Sequence, residues 1–197
     1  MSEELTLKEY IDNLSSSAPV PGGGHAAATV LGFACGLMLM SLRIAVLKKK
    51  PENRAALELE MKLSELQKRS LNLAEKDSES FMEVMKNWKN PGEALDRALL
   101  ASAEVSLDIS SAALELLSLI EMEDLRRYSN IITDVGLAVS LAGSAHRGGV
   151  MNFRVNIRTL TTEYAKTLES KNRETELRFR RIYSLLRGEA ERLAGVV

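Results

Sequence analysis

Residues 19–42 read PVPGGGHAAATVLGFACGLMLMSL, and this stretch decides the fold. Its three consecutive glycines are costly to order, because glycine loses more backbone freedom on folding than any other residue. If a helix follows them, their backbone N–H groups lie at its positive end, where an anionic or carbonyl-bearing ligand is favoured. The glycine stretch, residues 22–24, is therefore either a ligand-binding site or only a flexible turn.

The uncharged run that follows has the composition of a buried helix. It covers the 18 residues from His25 to Leu42, near the lower limit for a membrane span. Gly32 and Gly36 form a small-xxx-small pattern, which lets two helices approach closely. Arg43 ends the run early, however, and no other segment resembles a span. We therefore expect a central helix buried on all sides within a soluble bundle, with no membrane partner.

Length and composition limit the classes to which the chain can belong. Its 197 residues predict a single domain over residues 1–197. A formal net charge of -1 and 5% aromatic residues argue against nucleic-acid binding. With Cys35 as the only cysteine and two histidines, an internal disulfide and a metal site of several cysteines or histidines are both excluded. The acidic residues 1–4 have no signal-peptide pattern, which favours the cytoplasm.

The rest of the sequence predicts an all-α fold. Thr6 and Glu9 form a capping box for a short helix that reaches about Leu14. No glycine or proline interrupts residues 52–88, where apolar residues recur in steps of three and four, so one long amphipathic helix is expected. Further helices are predicted over residues 93–120, from Thr133 to about Ala145 and after Thr162, with turns at Pro91-Gly92 and Gly148-Gly149. The expected architecture is a bundle of six to eight helices.

One acidic residue interrupts the apolar face of the long helix. That face follows residues 59, 63, 66, 70, 73, 77, 81, 84 and 88, and its polar members are Ser70 and Asp77. Asp77 lies one turn from both Leu73 and Phe81, so we expect it to face inward. A buried carboxylate pays for desolvation or shifts its pKa upward, which suits a general base or acid. The alternative is that Asp77 pairs with an arginine or lies at the edge of the face.

Two further pairs of polar residues have helical spacing. Asn130 and Asp134 are four residues apart, and so are Asn152 and Asn156. Two amides on one helix face can read a polar heterocycle through their donors and acceptors. They can equally hydrogen-bond neighbouring helices, and Asp134 can be only a first-turn acid favoured by the helix dipole.

The two histidines differ in their expected roles. His25 follows the glycine stretch directly, where it can contact a ligand. His146 is expected near a helix C-terminus, which it would cap. Neither is spaced to activate a serine, so no nucleophilic serine is predicted.

Taken together, these motifs resemble the cyclodeaminase/cyclohydrolase family. This family includes the C-terminal domain of formiminotransferase-cyclodeaminase and stand-alone methenyltetrahydrofolate cyclohydrolases. The resemblance covers nearly the whole chain and is specific in the order and spacing of its motifs. They are the glycine stretch, the lysine cluster at 48–50, Asp-x-x-x-Phe at 77–81, Asn-x-x-Thr-Asp at 130–134 and Asn-x-x-x-Asn-Ile at 152–157.

The resemblance implies an up-and-down bundle that forms a homodimer and holds a tetrahydrofolate derivative beside the glycine stretch. It implies that Asp77 accepts a proton, and it implies no metal and no cofactor beyond the folate substrate. Tyr128, where many relatives have asparagine, and His25, where relatives usually have a small residue, depart from the family pattern. The implied folate-binding residues are Pro21, Gly22, Gly23, Gly24, His25, Asn130, Asp134, Asn152 and Asn156.

The implied activity is that of a methenyltetrahydrofolate cyclohydrolase, in which water opens the methenyl ring to give formyltetrahydrofolate. The alternative is a formimidoyltetrahydrofolate cyclodeaminase, a lyase that closes the same ring and releases ammonia. No formiminotransferase domain is present in the chain, which favours the cyclohydrolase. A non-catalytic folate-binding protein or dimeric helical scaffold is the alternative of another class.

Overall fold

A computed structural model describes residues 5–196, which are helical apart from short turns and contain no strand. Residues 1–4, on which the signal-peptide prediction rests, and residue 197 lie outside the described part. A π-helical turn, Arg43–Leu47, extends the second helix, and a 3-10 helix, Leu125–Ile131, precedes the fifth. The α-helices are α1 Leu7–Leu14, α2 Gly23–Leu42, α3 Arg54–Asn87, α4 Glu93–Glu121, α5 Ile132–Ile157 and α6 Glu163–Leu193. The all-α prediction is therefore confirmed.

From α2 onward, helices that follow one another in the chain pack side by side, and α2 and α3 run antiparallel. The Gln67 side chain of α3 donates to the Gly32 carbonyl of α2 at 3.3 Å, while Gly24, one end of α2, faces Asp77 further along α3. On the other side of α2, Gly148 of α5 packs against Ala27. The main core thus lies between α2, α3, α4 and α5, and α6 closes the open side of α4 and α5.

Three helix starts are capped by a side chain at their own N-terminus. Thr6 and Glu9 form the capping box of α1, with both reciprocal hydrogen bonds present. Thr162 caps α6 by accepting from the Ala165 N–H. Asn53 caps α3 in the same way, which places the start of the long helix two residues after the predicted position.

The central helix α2 is only partly enclosed by its own chain. Its small and apolar residues fill the core, but Phe33 and Met40 of α2 expose 49% and 38% of their surface, and Ile44 of the π-helical turn that follows exposes 46%. The prediction of burial on all sides is therefore wrong for the single chain. By length and composition, Gly23–Leu47 is the one segment of the described chain that could cross a membrane, and half of its most apolar window is buried in the bundle.

The fifth helix is longer than the sequence predicted. It begins at Ile132 rather than after a Thr133 cap, and it continues through Gly148 and Gly149 to Ile157. A Cβ added at Gly149 would lie 2.7 Å from the Ser106 carbonyl oxygen of α4. The glycine pair is therefore a site of close helix packing and not a turn, because the backbone of α4 leaves no space for a side chain.

Candidate active site

A cavity of about 250 Å³ opens where the start of α2 meets α3, α4 and α5. Its walls come from four helices and from the segment before α2, so no single stretch of sequence forms it. The lining residues are Pro19, Val20, Gly22, Gly23, Gly24, Asp77, Phe81, Ser102, Asn152, Val155 and Asn156. The cavity therefore brings together Asp77, the glycine stretch and one of the two predicted polar pairs.

Asp77 is the buried acid of this cavity, as its place on the apolar face of α3 predicted. Its exposed fraction is 8%, and no arginine or lysine of the described residues forms an ion pair with it. Burial raises the pKa of Asp77, while a hydrogen bond from the His25 backbone and the His25 charge oppose that rise. Asp77 is therefore not paired with an arginine, and its carboxylate is available to a ligand.

The glycine stretch is mostly the first turn of a helix. Gly22 is the N-cap of α2, and Gly23 and Gly24 already belong to the helix. A Cβ added at Gly24 would overlap the Asp77 carboxylate and lie 2.5 Å from Nδ2 of Asn152. A side chain at this position would therefore fill the space between the acid and the amide. Gly23, in contrast, is exposed, and a Cβ there meets nothing within 4 Å.

His25 lies behind the cavity rather than on its wall. Its Nδ1 is 2.9 Å from Oγ of Ser78, the residue that follows Asp77 in α3. Its ring lies 5.4 Å from that of Tyr10 in α1. His25 therefore ties α1 and α2 to α3 beside the acid. Pro21, also predicted to bind folate, is half-buried and does not line the cavity.

The amide pair of α5 has both of the roles that the sequence left open. Asn152 and Asn156 line the cavity, and Asn156 also donates to Oγ of Ser102 at 2.9 Å. Ser102, which sequence reasoning missed, is 4% exposed and forms part of the cavity wall. Ser102, Ser106 and Ser110 recur every four residues on the buried face of α4, a pattern that could have identified that wall.

Asn130 and Asp134 lie far from the cavity, at the opposite end of α5. Asn130 is exposed in the 3-10 helix, and Asp134 is in the first turn of α5. Asp134 is about five turns from Asn152, roughly 27 Å along the helix axis. A single chain therefore does not bring this pair to the cavity.

Neither His146 nor Tyr128 lines the cavity. His146 lies inside α5 and does not cap its C-terminus; its Nδ1 is 3.0 Å from the Ser110 carbonyl, and its ring stacks on Phe179. Tyr128 is buried and donates to Glu123 at 2.7 Å, remote from the cavity. Among residues 5–196, no three histidine, cysteine, aspartate or glutamate side chains are grouped so that they could hold a metal ion.

Comparison with known proteins identifies the family of the chain. A methenyltetrahydrofolate cyclohydrolase of Methylorubrum extorquens is 30% identical over 206 residues, covering 96% of this chain and 99% of that protein. The crystal structure of formiminotetrahydrofolate cyclodeaminase from Thermotoga maritima matches with a TM-score of 0.87 at 25% identity, covering 98% of each chain. The family model for formiminotransferase-cyclodeaminase matches residues 6–174, which include the whole cavity, and the chain therefore belongs to that family.

Proposed function

We propose that this protein is a methenyltetrahydrofolate cyclohydrolase with Asp77 as its general base. The observation that carries the proposal is the buried, unpaired Asp77 carboxylate on a cavity lined by the glycine stretch and by two asparagines. The similarity to the Methylorubrum extorquens cyclohydrolase over nearly the full length of both chains supports the same activity.

The chemistry needs one group that takes and then returns a proton. Asp77 accepts a proton from the water that attacks the methenyl carbon between two nitrogens of tetrahydrofolate. A C–O bond forms, one C–N bond of the cationic methenyl ring breaks, and the proton goes to the departing nitrogen. The second water proton is released to solvent, which leaves the neutral C=O group of formyltetrahydrofolate. A positioned base or acid contributes about 10²–10⁴-fold to such a step. Because burial raises the pKa of Asp77, its carboxylate is a stronger base than an exposed one.

The cavity fits the reacting part of a folate better than the whole molecule. At about 250 Å³ it lies at the small end of ligand pockets. The amides of Asn152 and Asn156 can hydrogen-bond the donors and acceptors of a pterin ring. The benzoyl-glutamate part of the substrate then lies outside this cavity.

In the homodimer that we propose, the two subunits contact each other through α2 and α5. On α2, the exposed Phe33 and Met40 share one face, and the exposed Ile44 follows in the π-helical turn. On the adjacent α5, Leu137 and Met151 expose 50% and 68% of their surface. Apolar patches along two packed helices are typical of an interface between subunits. A second copy of the chain is the occupant that family membership supports.

Such a dimer gives Asn130 and Asp134 a place in the proposed site. A two-fold axis across the middle of α5 reverses the helix direction between subunits. The N-terminal end of one α5 is then directed toward the cavity beside the C-terminal end of the other. In this arrangement, Asn130 and Asp134 reach the folate bound to the partner.

A formimidoyltetrahydrofolate cyclodeaminase is the second candidate. The specific observation in its favour is the structural match to the Thermotoga maritima cyclodeaminase over 98% of both chains. In that reaction a ring nitrogen attacks the formimino carbon and ammonia leaves, so Asp77 again takes and returns a proton. The same cavity therefore serves both reactions, and the substrates must distinguish them.

The test assays both substrates side by side with the purified full-length protein. We expect methenyltetrahydrofolate absorbance to decay faster with the protein than in buffer. The Asp77→Asn variant should lower the catalysed rate by a factor of about 10²–10⁴. Asp108→Asn, an exposed aspartate of α4, is the control and should keep the wild-type rate. Ammonia release from formimino-folate without methenyl hydrolysis would favour the cyclodeaminase. If neither substrate reacts, the non-catalytic alternative stands.

A further inference from the structure

A second cavity, of about 280 Å³, lies between the C-terminal part of α5 and the N-terminal half of α6. Arg154, in the last turn of α5, and Arg158, the C-cap residue of that helix, are one turn apart on the side of the helix opposite to Asn152 and Asn156. The floor consists of Phe153, Ile157 and Asn172, each of which is less than 5% exposed. This cavity is therefore separate from that of Asp77 and has an apolar floor that contains one amide.

The amide of the floor has an unused acceptor. Asn172 is 4% exposed, and its Oδ1 is buried without a hydrogen-bond partner among residues 5–196. An unpaired buried acceptor is destabilising, so such atoms are rare in folded chains. A ligand with an N–H donor would satisfy it.

The charged side chains at one end of the cavity rim form an ion pair, whereas those at the other end form none within residues 5–196. Arg154 and Glu176 form an ion pair at 2.7 Å. Arg158, Glu169 and Arg173 form no ion pair with any residue of the described chain. Glu169 and Arg173 are four apart on α6, a spacing at which such side chains commonly pair. The open end thus offers two guanidinium groups and one carboxylate.

We propose that this cavity binds an acidic α-amino acid. The two free guanidinium groups, Arg158 and Arg173, match the two carboxylates of such a ligand, which guanidinium binds in bidentate geometry. The Glu169 carboxylate and the Asn172 Oδ1 take its ammonium group, which has three N–H donors. The methylene groups of the ligand lie on Phe153 and Ile157. Each charged group of the ligand then has a partner of opposite charge in the cavity, and the buried amide oxygen also gains a donor.

The test is isothermal titration calorimetry of the full-length protein with L-glutamate as the probe, up to about 10 mM, the range of weak metabolite binding. Glutarate, which lacks the ammonium group, and γ-aminobutyrate, which lacks the α-carboxylate, are the comparison ligands. We expect L-glutamate to bind at least about tenfold more tightly than either, because each lost charged contact leaves a partner unsatisfied. No heat with L-glutamate, or equal binding of glutarate, would overturn the proposal.

Variants assign the binding to this cavity. Asn172→Leu and Arg173→Gln are each expected to weaken L-glutamate binding by about tenfold or more. Arg178→Gln, at an exposed arginine of α6 outside the cavity, is the matched control and should leave binding unchanged. The melting temperature of Asn172→Leu without ligand should equal or exceed that of the wild type, because the replaced amide oxygen has no partner. Unchanged binding in both cavity variants, or equal loss in the control, would contradict the assignment.

Discussion

At the residue scale, the candidate site depends on how closely Gly24 lets α2 approach α3. Gly24 is buried against the Asp77 carboxylate and the Asn152 amide, whereas its neighbour Gly23 is exposed and a Cβ added there would meet nothing within 4 Å. Both glycines lie in the first turn of the same helix, so they share a backbone conformation. They differ only in what a side chain would meet, which makes them a matched pair for experiment.

Gly24→Ala is predicted to damage the site more than the fold. The added methyl group overlaps the Asp77 carboxylate, and a displacement of about 1 Å can cost about 10²-fold in rate. We therefore expect cyclohydrolase kcat/KM to fall by about that factor. Gly23→Ala adds a methyl group that does not overlap Asp77, so it should lose less activity than Gly24→Ala and gain up to about 1 kcal/mol in the free energy of unfolding, because alanine favours helix. Equal activity of the two variants would contradict this description of Gly24.

The burial of Asp77 predicts opposite pH effects on activity and on stability. Because burial raises its pKa, the base is lost on acidification at a higher pH than for an ordinary aspartate. The pH profile of kcat/KM should therefore have an acid limb that begins above the usual aspartate range. The folded state favours protonated Asp77, so the charged side chain destabilises the protein as pH rises through that pKa.

Asp77→Asn should accordingly be more stable than the wild type near neutral pH. The difference should shrink as pH falls through the raised pKa and disappear below the ordinary aspartate pKa of about 3.9, because Asp77 is then neutral in both states. Urea unfolding curves of the two proteins across this range measure the difference. A wild type that is more stable than Asp77→Asn at neutral pH would show that the charge is compensated in the fold.

At the scale of helices, α5 is the element that sequence patterns misjudged. Gly148-Gly149 has the composition of a turn, yet the helix continues through it. Gly148 packs on Ala27 of α2, and Gly149 packs on the backbone of α4 at Ser106 and Ser110. Two neighbouring helices thus require these glycines, and the helix that results places Asn152 and Asn156 at the cavity.

Gly149→Ala is predicted to destabilise the bundle. Its Cβ would lie 2.7 Å from one backbone atom of α4 and 2.8 Å from another, and overpacking of this kind typically costs about 1–3 kcal/mol. Gly188→Ala, in α6, is the matched control: a Cβ there meets nothing within 4 Å. That control should be unchanged or more stable by up to about 1 kcal/mol. Chemical denaturation measures both, and equal stability of the two variants would argue against the close packing of α5 on α4.

At the scale of the whole molecule, one apolar face of α2 is not covered by any other helix that the structure describes in the same chain. Phe33→Asp places a charge at the centre of the proposed dimer interface, where its desolvation is costly. We expect sedimentation at micromolar concentration to show a monomer, with reduced activity because Asn130 and Asp134 no longer reach the partner's cavity. Leu177→Asp, at a residue of α6 that is 70% exposed, should sediment as the wild type does. A monomeric wild type would overturn the dimer proposal.

Several features of the fold and site could be predicted from sequence because their causes are local. Capping by Thr6 and Thr162 depends on residues within one turn. Asp77 was identified by its position on a periodic apolar face, and its burial confirms that reasoning. The exposure of Phe81 and Trp88, at the end of the same face, was not predicted, because periodicity does not show where the neighbouring helices end.

By itself, the sequence determined the all-α class, the existence of one long amphipathic helix, the inward acid and the family of the protein. Only the tertiary structure decided that Gly148-Gly149 continues a helix, that Ser102 joins the cavity, and that Asn130 and Asp134 lie far from it in one protomer. The physical reason is the range of the interactions. Helix caps and apolar periodicity act within a few residues, whereas close packing depends on side chains and backbone from helices distant in sequence.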